Sequence, residues 1–161
     1  LIDAVQKLGA PYHLVLVGAG SGMPAEDRVI SLPYEKDPRA VAKIIASCDA
    51  FVHANDKEPF GLIVLEAMAC GRPVVGVNSG GVAETVDEAV GKLAARAGAD
   101  DYAQAVEALF ARDIEAIGRA ARLKAETQFA WNRVFEDLCD FYGDLTGEAG
   151  FMAHTGDRPV H

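Results

Sequence analysis

The feature that most constrains the fold is a helix followed at once by a buried strand, between Leu62 and Val77. Leu62 to Cys70 is a run of good helix formers that is apolar at almost every position, which is typical of a helix packed on several sides. Gly71 favours the left-handed turn that ends a helix, and Pro73 prevents the helix from resuming. Pro73 to Val77 is a short, continuous apolar run, as in parallel strands covered on both faces. This succession predicts a layered α/β fold.

The rest of the chain extends that pattern and then changes. The segments that predict strands are His13 to Val17, Val29 to Leu32 and Ala50 to His53. Asp37 and Pro38 suit the start of a helix over Arg39 to Cys48. Beyond Asp100 the apolar spacing is helical only, over Tyr102 to Ala111, Asp113 to Thr127 and Trp131 to Leu145. We therefore predict a parallel sheet with helices on both faces, ending in a C-terminal helix group.

Length and charge limit what the chain can be. Its 161 residues, half of them hydrophobic, can bury one core, so we predict one domain over residues 1–145. Residues 146–161 lack periodicity and are expected to form a mobile tail. A net charge of -9, spread along the chain, argues against a nucleic-acid partner and against an anionic membrane surface.

The cysteines point to a reducing compartment. The three are far apart in apolar helical runs and lack the spacing of a metal or redox site, so we expect reduced core residues of a cytoplasmic protein. No run is apolar and long enough to resemble a transmembrane helix, and nothing resembles a signal peptide. Whether the full-length protein has a membrane-binding or targeting segment is left open.

Two carboxylates flank the predicted start of the helix at Leu62. Glu58 lies in the preceding loop and Glu66 roughly 7 Å further along the axis. Free amides at the helix start attract an anion, and a carboxylate accepts well from sugar hydroxyls, so the layout suits a nucleotide sugar. Glu58 alone is more often a solvated charge. Glu66, among apolar neighbours, needs a partner, for which Arg72, water in a cleft and a ligand are equal candidates.

The segment from Glu58 to Val86, EPFGLIVLEAMACGRPVVGVNSGGVAETV, resembles the signature of family 4 retaining glycosyltransferases of the GT-B fold. Their pattern is close to ExFGLxxxEAMAxGxPVVxxxxGGxxE. The resemblance continues in HLVLVGAG from His13, in AVAKIIASCDAFVH from Ala40, and in the closing helix up to Leu145. It implies a Rossmann-like, doubly wound domain, the C-terminal half of a GT-B enzyme. Its first strand and first helix are expected to be missing, because Leu1 to Leu8 looks like the last turns of a helix.

The resemblance also implies an activity and a partner. The reaction would be transfer of a sugar from a nucleoside diphosphate sugar to a hydroxyl acceptor, with retention, and without metal or other cofactor. The acceptor would be bound by an N-terminal domain that the chain lacks. Glu58 would be the catalytic carboxylate, holding hydroxyls of the donor sugar and steadying the charge at the anomeric carbon. Backbone amides of Phe60, Gly61 and Leu62 would bind the donor, and Glu66 the ribose diol.

Four glycines complete the predicted donor site, and each has an alternative. Gly18 and Gly20, in the turn GAGSG, line the nucleotide cleft in the resembled family but could form a purely structural turn. Gly80 and Gly81 lie near the donor phosphates or sugar in that family but could form a hairpin-like turn. A nicotinamide oxidoreductase is the less favoured class, because the turn lacks the GxGxxG spacing. A binding-only module, inactive without its N-terminal domain, is the other alternative.

Overall fold

The structure is a computed structural model that describes residues 1–18, 20 and 26–147. In chain order the elements are α1 (Ile2–Leu8), β1 (Leu14–Val17), β2 (Val29–Leu32), α2 (Pro38–Ser47), β3 (Phe51–Val52), α3 (Leu62–Ala69), β4 (Val74–Val77), α4 (Gly80–Thr85), β5 (Gly91–Ala94), α5 (Ala99–Phe110), α6 (Ile114–Gln128) and α7 (Trp131–Thr146). Of the predicted tail, residues 148–161 lie outside the described residues. Within the described part of the chain, no helix is both long and apolar enough to cross a membrane.

The strands are parallel, as predicted, but they form two sheets. One sheet pairs β1 with β2, and the other has the order β3, β4, β5. The α/β class with helices on both faces is confirmed. The expected single sheet is interrupted, because β1 and β3 do not pair with each other in the described structure.

Strand β4 organises the core, and all four of its residues are buried. Val75 and Val77 pack in one apolar cluster with residues of α1 and α5, including Ala4 and Leu109. Val74 belongs to a second cluster, formed mainly by α3, α4 and α6. Because successive side chains of a strand point to opposite faces, the two clusters cover both sides of the sheet.

Two elements were not predicted. Helix α4 begins at Gly80, so the hairpin-like turn considered for Gly80 and Gly81 is wrong. Strand β5 is a weak strand by composition, yet it pairs with β4 in register from Val74 opposite Gly91. A Cβ added at Gly91 would lie 2.0 Å from the carbonyl oxygen of Val74, so the residue must lack a side chain here.

The helices begin and end for local reasons. Asp37 caps α2 by accepting a hydrogen bond from the Arg39 amide at 2.9 Å, and Pro38 opens the helix, as predicted. Asp113 caps α6 in the same way, through the Ala116 amide. Helix α7 packs against α6 but buries none of its own residues.

An ion pair joins α6 to the turn after α4 and should make stability depend on pH. Lys124 Nζ donates at 2.8 Å both to the Asp87 carboxylate and to the Thr85 carbonyl. The Lys124 hydrogen bond is the largest of the effects that hold the pKa of Asp87 below its ordinary value of 3.8. A lowered folded-state pKa contributes stability that is present above the unfolded pKa and is lost as pH falls through the folded pKa.

We therefore expect Asp87→Asn to lower the unfolding temperature at pH 7, and the gap from the wild type to close as pH falls below about 3.8. The difference in unfolding temperature between the two proteins is measured by circular dichroism at a series of pH values from 7 to 2. In a Lys124→Met background the pH-dependent gap caused by Asp87→Asn should be smaller, because only the backbone amides of Ala89 and Val90 still favour the Asp87 carboxylate. A gap that persists unchanged at pH 2 would contradict the assignment.

Candidate functional site

The loop between β3 and α3 carries Glu58, and three long-range hydrogen bonds hold it. The Tyr102 hydroxyl of α5 donates to the His53 carbonyl at 2.8 Å. The Ser79 hydroxyl, just before α4, donates to the Asp56 carbonyl at 2.8 Å, and the Gly81 amide donates to the Glu58 carbonyl at 3.0 Å. Burial, and then the charge of Asp56, raise the pKa of Tyr102, so its hydroxyl remains a donor at neutral pH.

The Glu58 carboxylate is fixed and only partly open to solvent. Its Oε1 accepts from the Gly61 amide at 3.2 Å, and its Oε2 accepts from Asn55 Nδ2 at 3.1 Å. The Nε2 atom of His53, which is buried, lies 3.6 Å from Oε2. The Glu58 side chain is 25% exposed, so it is not the freely solvated charge that a lone loop glutamate usually is. Sequence reasoning missed Asn55 and the contact with His53.

The N-terminus of α3 presents free donors next to this carboxylate. Gly61 has a φ of 85° and caps the helix without a side-chain hydrogen bond. The amides of Leu62 and Ile63 make no hydrogen bond within the described part of the chain. Because the Gly61 amide already donates to Glu58, Phe60 and Leu62 remain of the three predicted donors, and Ile63 is an addition. Phe60 and Leu62, at 50% and 60% exposed, leave this first turn accessible.

Glu66 is exposed, so the prediction that it is buried and needs a partner is wrong. Helix α3 buries Val64, Ala67 and Met68 but exposes a stripe that contains Leu62 and Glu66. Four residues apart, these two lie on the same face of the helix. The carboxylate of Glu66 therefore shares an open face with the free first turn.

Arg72, one of the three candidate partners of Glu66, is engaged elsewhere. Its guanidinium donates to the carbonyl oxygens of Cys48, at 3.0 Å, and Cys70, at 3.4 Å. The structure thus removes the internal partner and leaves solvent or a ligand for Glu66.

Gly80 and Gly81 let α4 approach the backbone of the Glu58 loop. A Cβ at Gly80, whose φ is 55°, would lie 2.4 Å from the Glu58 carbonyl oxygen. A Cβ at Gly81 would lie 2.5 Å from the Pro59 oxygen and 2.6 Å from Phe60 Cα. The two glycines shape the site through this close packing.

Gly18 and Gly20 lie in the turn after β1, and both are exposed. Gly18 has a φ of 79°, and a Cβ there would meet the Tyr34 ring at 3.3 Å, whereas a Cβ at Gly20 would meet no atom of the described residues within 4 Å. The last glycine of the GAGSG run lies outside the described residues. In the part of the chain that the structure describes, no three metal-ligating side chains cluster.

Comparisons with known proteins agree on the family. The family model described as "Glycosyl transferases group 1" matches residues 1–112. The D-inositol 3-phosphate glycosyltransferase of Salinispora tropica is 35% identical over 147 residues, covering 88% of this chain and 29% of that protein. The chain thus spans about a third of the length of the curated relatives that it matches.

Solved structures share the fold. HepE of Anabaena, in complex with UDP-glucose, superposes with a TM-score of 0.73 at 24% identity, over 89% of this chain and 44% of that one. Sucrose-phosphate synthase from Thermosynechococcus elongatus superposes with a TM-score of 0.74 at 24% identity, over 92% of this chain and 43% of that one. The family match covers all five described strands and the whole Glu58 loop, and the fold agrees with it. The chain belongs to the group 1 glycosyl transferases.

Proposed function

We propose that this chain is the donor-binding domain of a retaining glycosyltransferase, which transfers a sugar from a nucleoside diphosphate sugar to a hydroxyl acceptor. One observation carries the proposal. The anchored carboxylate of Glu58 stands beside the open first turn of α3, and Glu66 lies on the same exposed face. Carboxylates on either side of free helix amides suit a ligand with an anionic centre and hydroxyls at both ends.

The roles follow from that geometry. The amides of Leu62 and Ile63, at the positive end of the α3 dipole, bind the diphosphate and stabilise the charge that develops as it leaves. Glu58 accepts hydrogen bonds from the donor sugar and stabilises the positive anomeric carbon. Glu66 accepts from the two hydroxyls of the ribose.

The exposed turn with Gly18 and Gly20 lies on the nucleotide side of the site, and Gly80 and Gly81 lie behind the sugar. No metal or other cofactor takes part.

Other parts of the proposal concern the whole protein. An additional N-terminal domain binds the acceptor, since closure over a donor is needed to exclude water from a reactive sugar. The three cysteines are free thiols, which favours the cytoplasm as the site of action. A chain without that acceptor domain binds donor but does not transfer sugar. For this segment taken alone, the binding-only module is therefore the second candidate function.

Calorimetric titration with UDP, GDP, ADP and NAD tests the proposal. We expect one nucleoside diphosphate to bind, NAD not to bind, and Glu66→Ala to weaken the affinity about tenfold, because the ribose loses hydrogen bonds to a charged acceptor. Glu107→Ala, an exposed glutamate of α5, is the matched control and should leave affinity unchanged. Preferred binding of NAD, or equal affinity in Glu66→Ala, would contradict the assignment.

A further inference from the structure

Two side chains face the same oxygen of the Glu58 carboxylate. Asn55 Nδ2 donates to Oε2 at 3.1 Å, and Nε2 of His53 lies 3.6 Å from the same atom. The other oxygen, Oε1, accepts at 3.2 Å from the Gly61 amide. A carboxylate has about four acceptor positions, two on each oxygen. When both side chains donate, Oε2 is fully used, and Oε1 keeps one position for a ligand.

The orientation of the Asn55 amide is set by the turn that it forms. Its Oδ1 accepts from the Lys57 backbone amide at 3.1 Å, so the other end of the group, Nδ2, is the one that points at Glu58. An aspartate here would keep the bond to Lys57, but it would turn a second carboxylate towards Glu58. The turn alone is therefore compatible with both residues, whereas the contact with Glu58 requires asparagine.

The His53 ring is almost completely buried, and its backbone is held from two sides. The backbone amide donates to the Val75 carbonyl at 2.8 Å, and the carbonyl accepts from the Tyr102 hydroxyl at 2.8 Å. The side chain is 8% exposed, and its Nδ1 has no hydrogen-bond partner within the described part of the chain. The ring therefore cannot turn out to solvent without disturbing the strand that carries it.

The surroundings of the ring determine which nitrogen carries the proton. An unpaired buried N–H group is rarer in proteins than an unpaired buried acceptor, so the neutral ring should leave Nδ1 of His53 without a proton. The proton is then on Nε2, and the neighbouring Glu58 carboxylate favours the same choice. An apolar side chain would fill this space without leaving a buried nitrogen unpaired. What histidine adds is a donor directed at Glu58.

The separation of 3.6 Å between Nε2 and Oε2 is longer than a hydrogen bond. Hydrogen bonds around a catalytic group are often long without substrate and shorten when substrate binds. A movement of the Glu58 carboxylate by about half an ångström towards the ring would bring the two atoms within hydrogen-bond distance. The contact with His53 therefore closes with a small adjustment of one side chain.

We propose that His53 and Asn55 are positioning residues, which together hold Oε2 of Glu58 so that Oε1 accepts from the donor sugar; this role rests on the function proposed for Glu58. Two donors on one oxygen prevent the carboxylate from rotating. An acceptor that is already fixed needs no reorganisation when positive charge develops at the sugar.

The proton position is tested on this chain by NMR, without any activity. With nitrogen-15 in the histidine rings, we expect His53 at pH 8 to be protonated at Nε2 and not at Nδ1, and His53→Gln assigns the signals. The Nε2 signal should shift in Glu58→Gln. It should stay in place in Glu84→Gln, which makes the same charge change on an exposed residue of α4. A ring protonated at Nδ1, or an Nε2 signal that does not respond to Glu58→Gln, would overturn the proposal.

Two matched pairs of variants test the effect on sugar transfer by the full-length protein. Gln and Met are similar in length, but only Gln places a nitrogen donor where histidine has Nε2. We expect kcat to fall at least about tenfold in His53→Met and to stay within about threefold of wild type in His53→Gln, with the KM for the donor changed much less. Asn55→Asp should also lose at least about tenfold in kcat. Asn132→Asp makes the same charge change on an exposed residue of α7 and should lose nothing.

The remaining results also separate this role from the function of Glu58. Equal kcat in His53→Met and His53→Gln would mean that the ring only fills space, and wild-type kcat in Asn55→Asp would mean that the amide only forms a turn; either result overturns the proposal. A raised KM with unchanged kcat overturns it as well. If the full-length protein transfers no sugar, the proposed function fails, and the NMR experiment still decides whether His53 donates to Glu58. If His53→Met does not fold, Asn55→Asp and the NMR experiment decide.

Discussion

Replacement of Glu58 by Gln is expected to reduce kcat for sugar transfer by the full-length protein by about 10²- to 10³-fold, the loss typical of one removed electrostatic contact. The amide keeps the size of the side chain and can still accept from Gly61, so the loop stays in place. What it loses is the negative charge that we propose lies beside the anomeric carbon. Since that charge acts mainly in the transition state, the KM for the donor should change much less than kcat.

Initial-rate kinetics over a range of donor concentrations measures this. Glu84→Gln is the control, because Glu84 is an exposed residue of α4 and undergoes the same change of charge. Its kcat should match the wild type. A Glu58→Gln variant with wild-type kcat, or one with a raised KM and unchanged kcat, would show that the carboxylate only binds substrate.

Replacement of Gly81 by Val is expected to lower the free energy of unfolding by about 3 kcal/mol, the upper part of the usual range for overpacking. Three backbone atoms of Pro59 and Phe60 lie within 2.8 Å of the position of its Cβ, so the contact cannot be relieved by rotating a side chain. Either α4 or the Glu58 loop must move. Because the Gly81 amide also donates to the Glu58 carbonyl, donor affinity should fall with stability.

Urea unfolding gives the stability, and the titration described above gives the affinity. Gly20→Ala serves as the comparison, since no atom of the described residues lies within 4 Å of a Cβ there, and its free energy of unfolding should stay within about 0.5 kcal/mol of wild type. An unchanged Gly81→Val protein would mean that α4 and the loop separate readily.

The strongest local patterns predicted the fold correctly. Helix α3 and strand β4 follow each other as their apolar runs indicate, and the cap of α2 by Asp37 is as predicted. Strand β5 was missed because its stability comes from pairing with β4 and not from its own residues, GKLA. Tertiary context overrode a weak propensity there.

The site was predictable in outline but not in its contacts. The positions of Glu58 and Gly61 follow from the signature. The exposure of Glu66 does not, because an apolar helix reveals its composition but not which of its sides a neighbour covers. The hydrogen bonds from Asn55 to Glu58 and from Tyr102 to the His53 carbonyl depend on the three-dimensional path of the Glu58 loop, which the sequence pattern does not give. Tyr102 is 49 residues from its acceptor at His53, a separation that periodicity cannot detect.

The three hydrogen bonds that hold the Glu58 loop also decide when the site can form. Their donors lie before and within α4 and in α5, and two of them reach across 23 and 49 residues of chain. Contacts between such distant residues form only after long loops have closed, which slows folding and places them late in it. In a nascent chain, the Glu58 loop therefore gains the last of these three bonds only when α5 has been synthesised and packed. The proposed binding of the donor would then be a property of the finished domain and not of its signature segment.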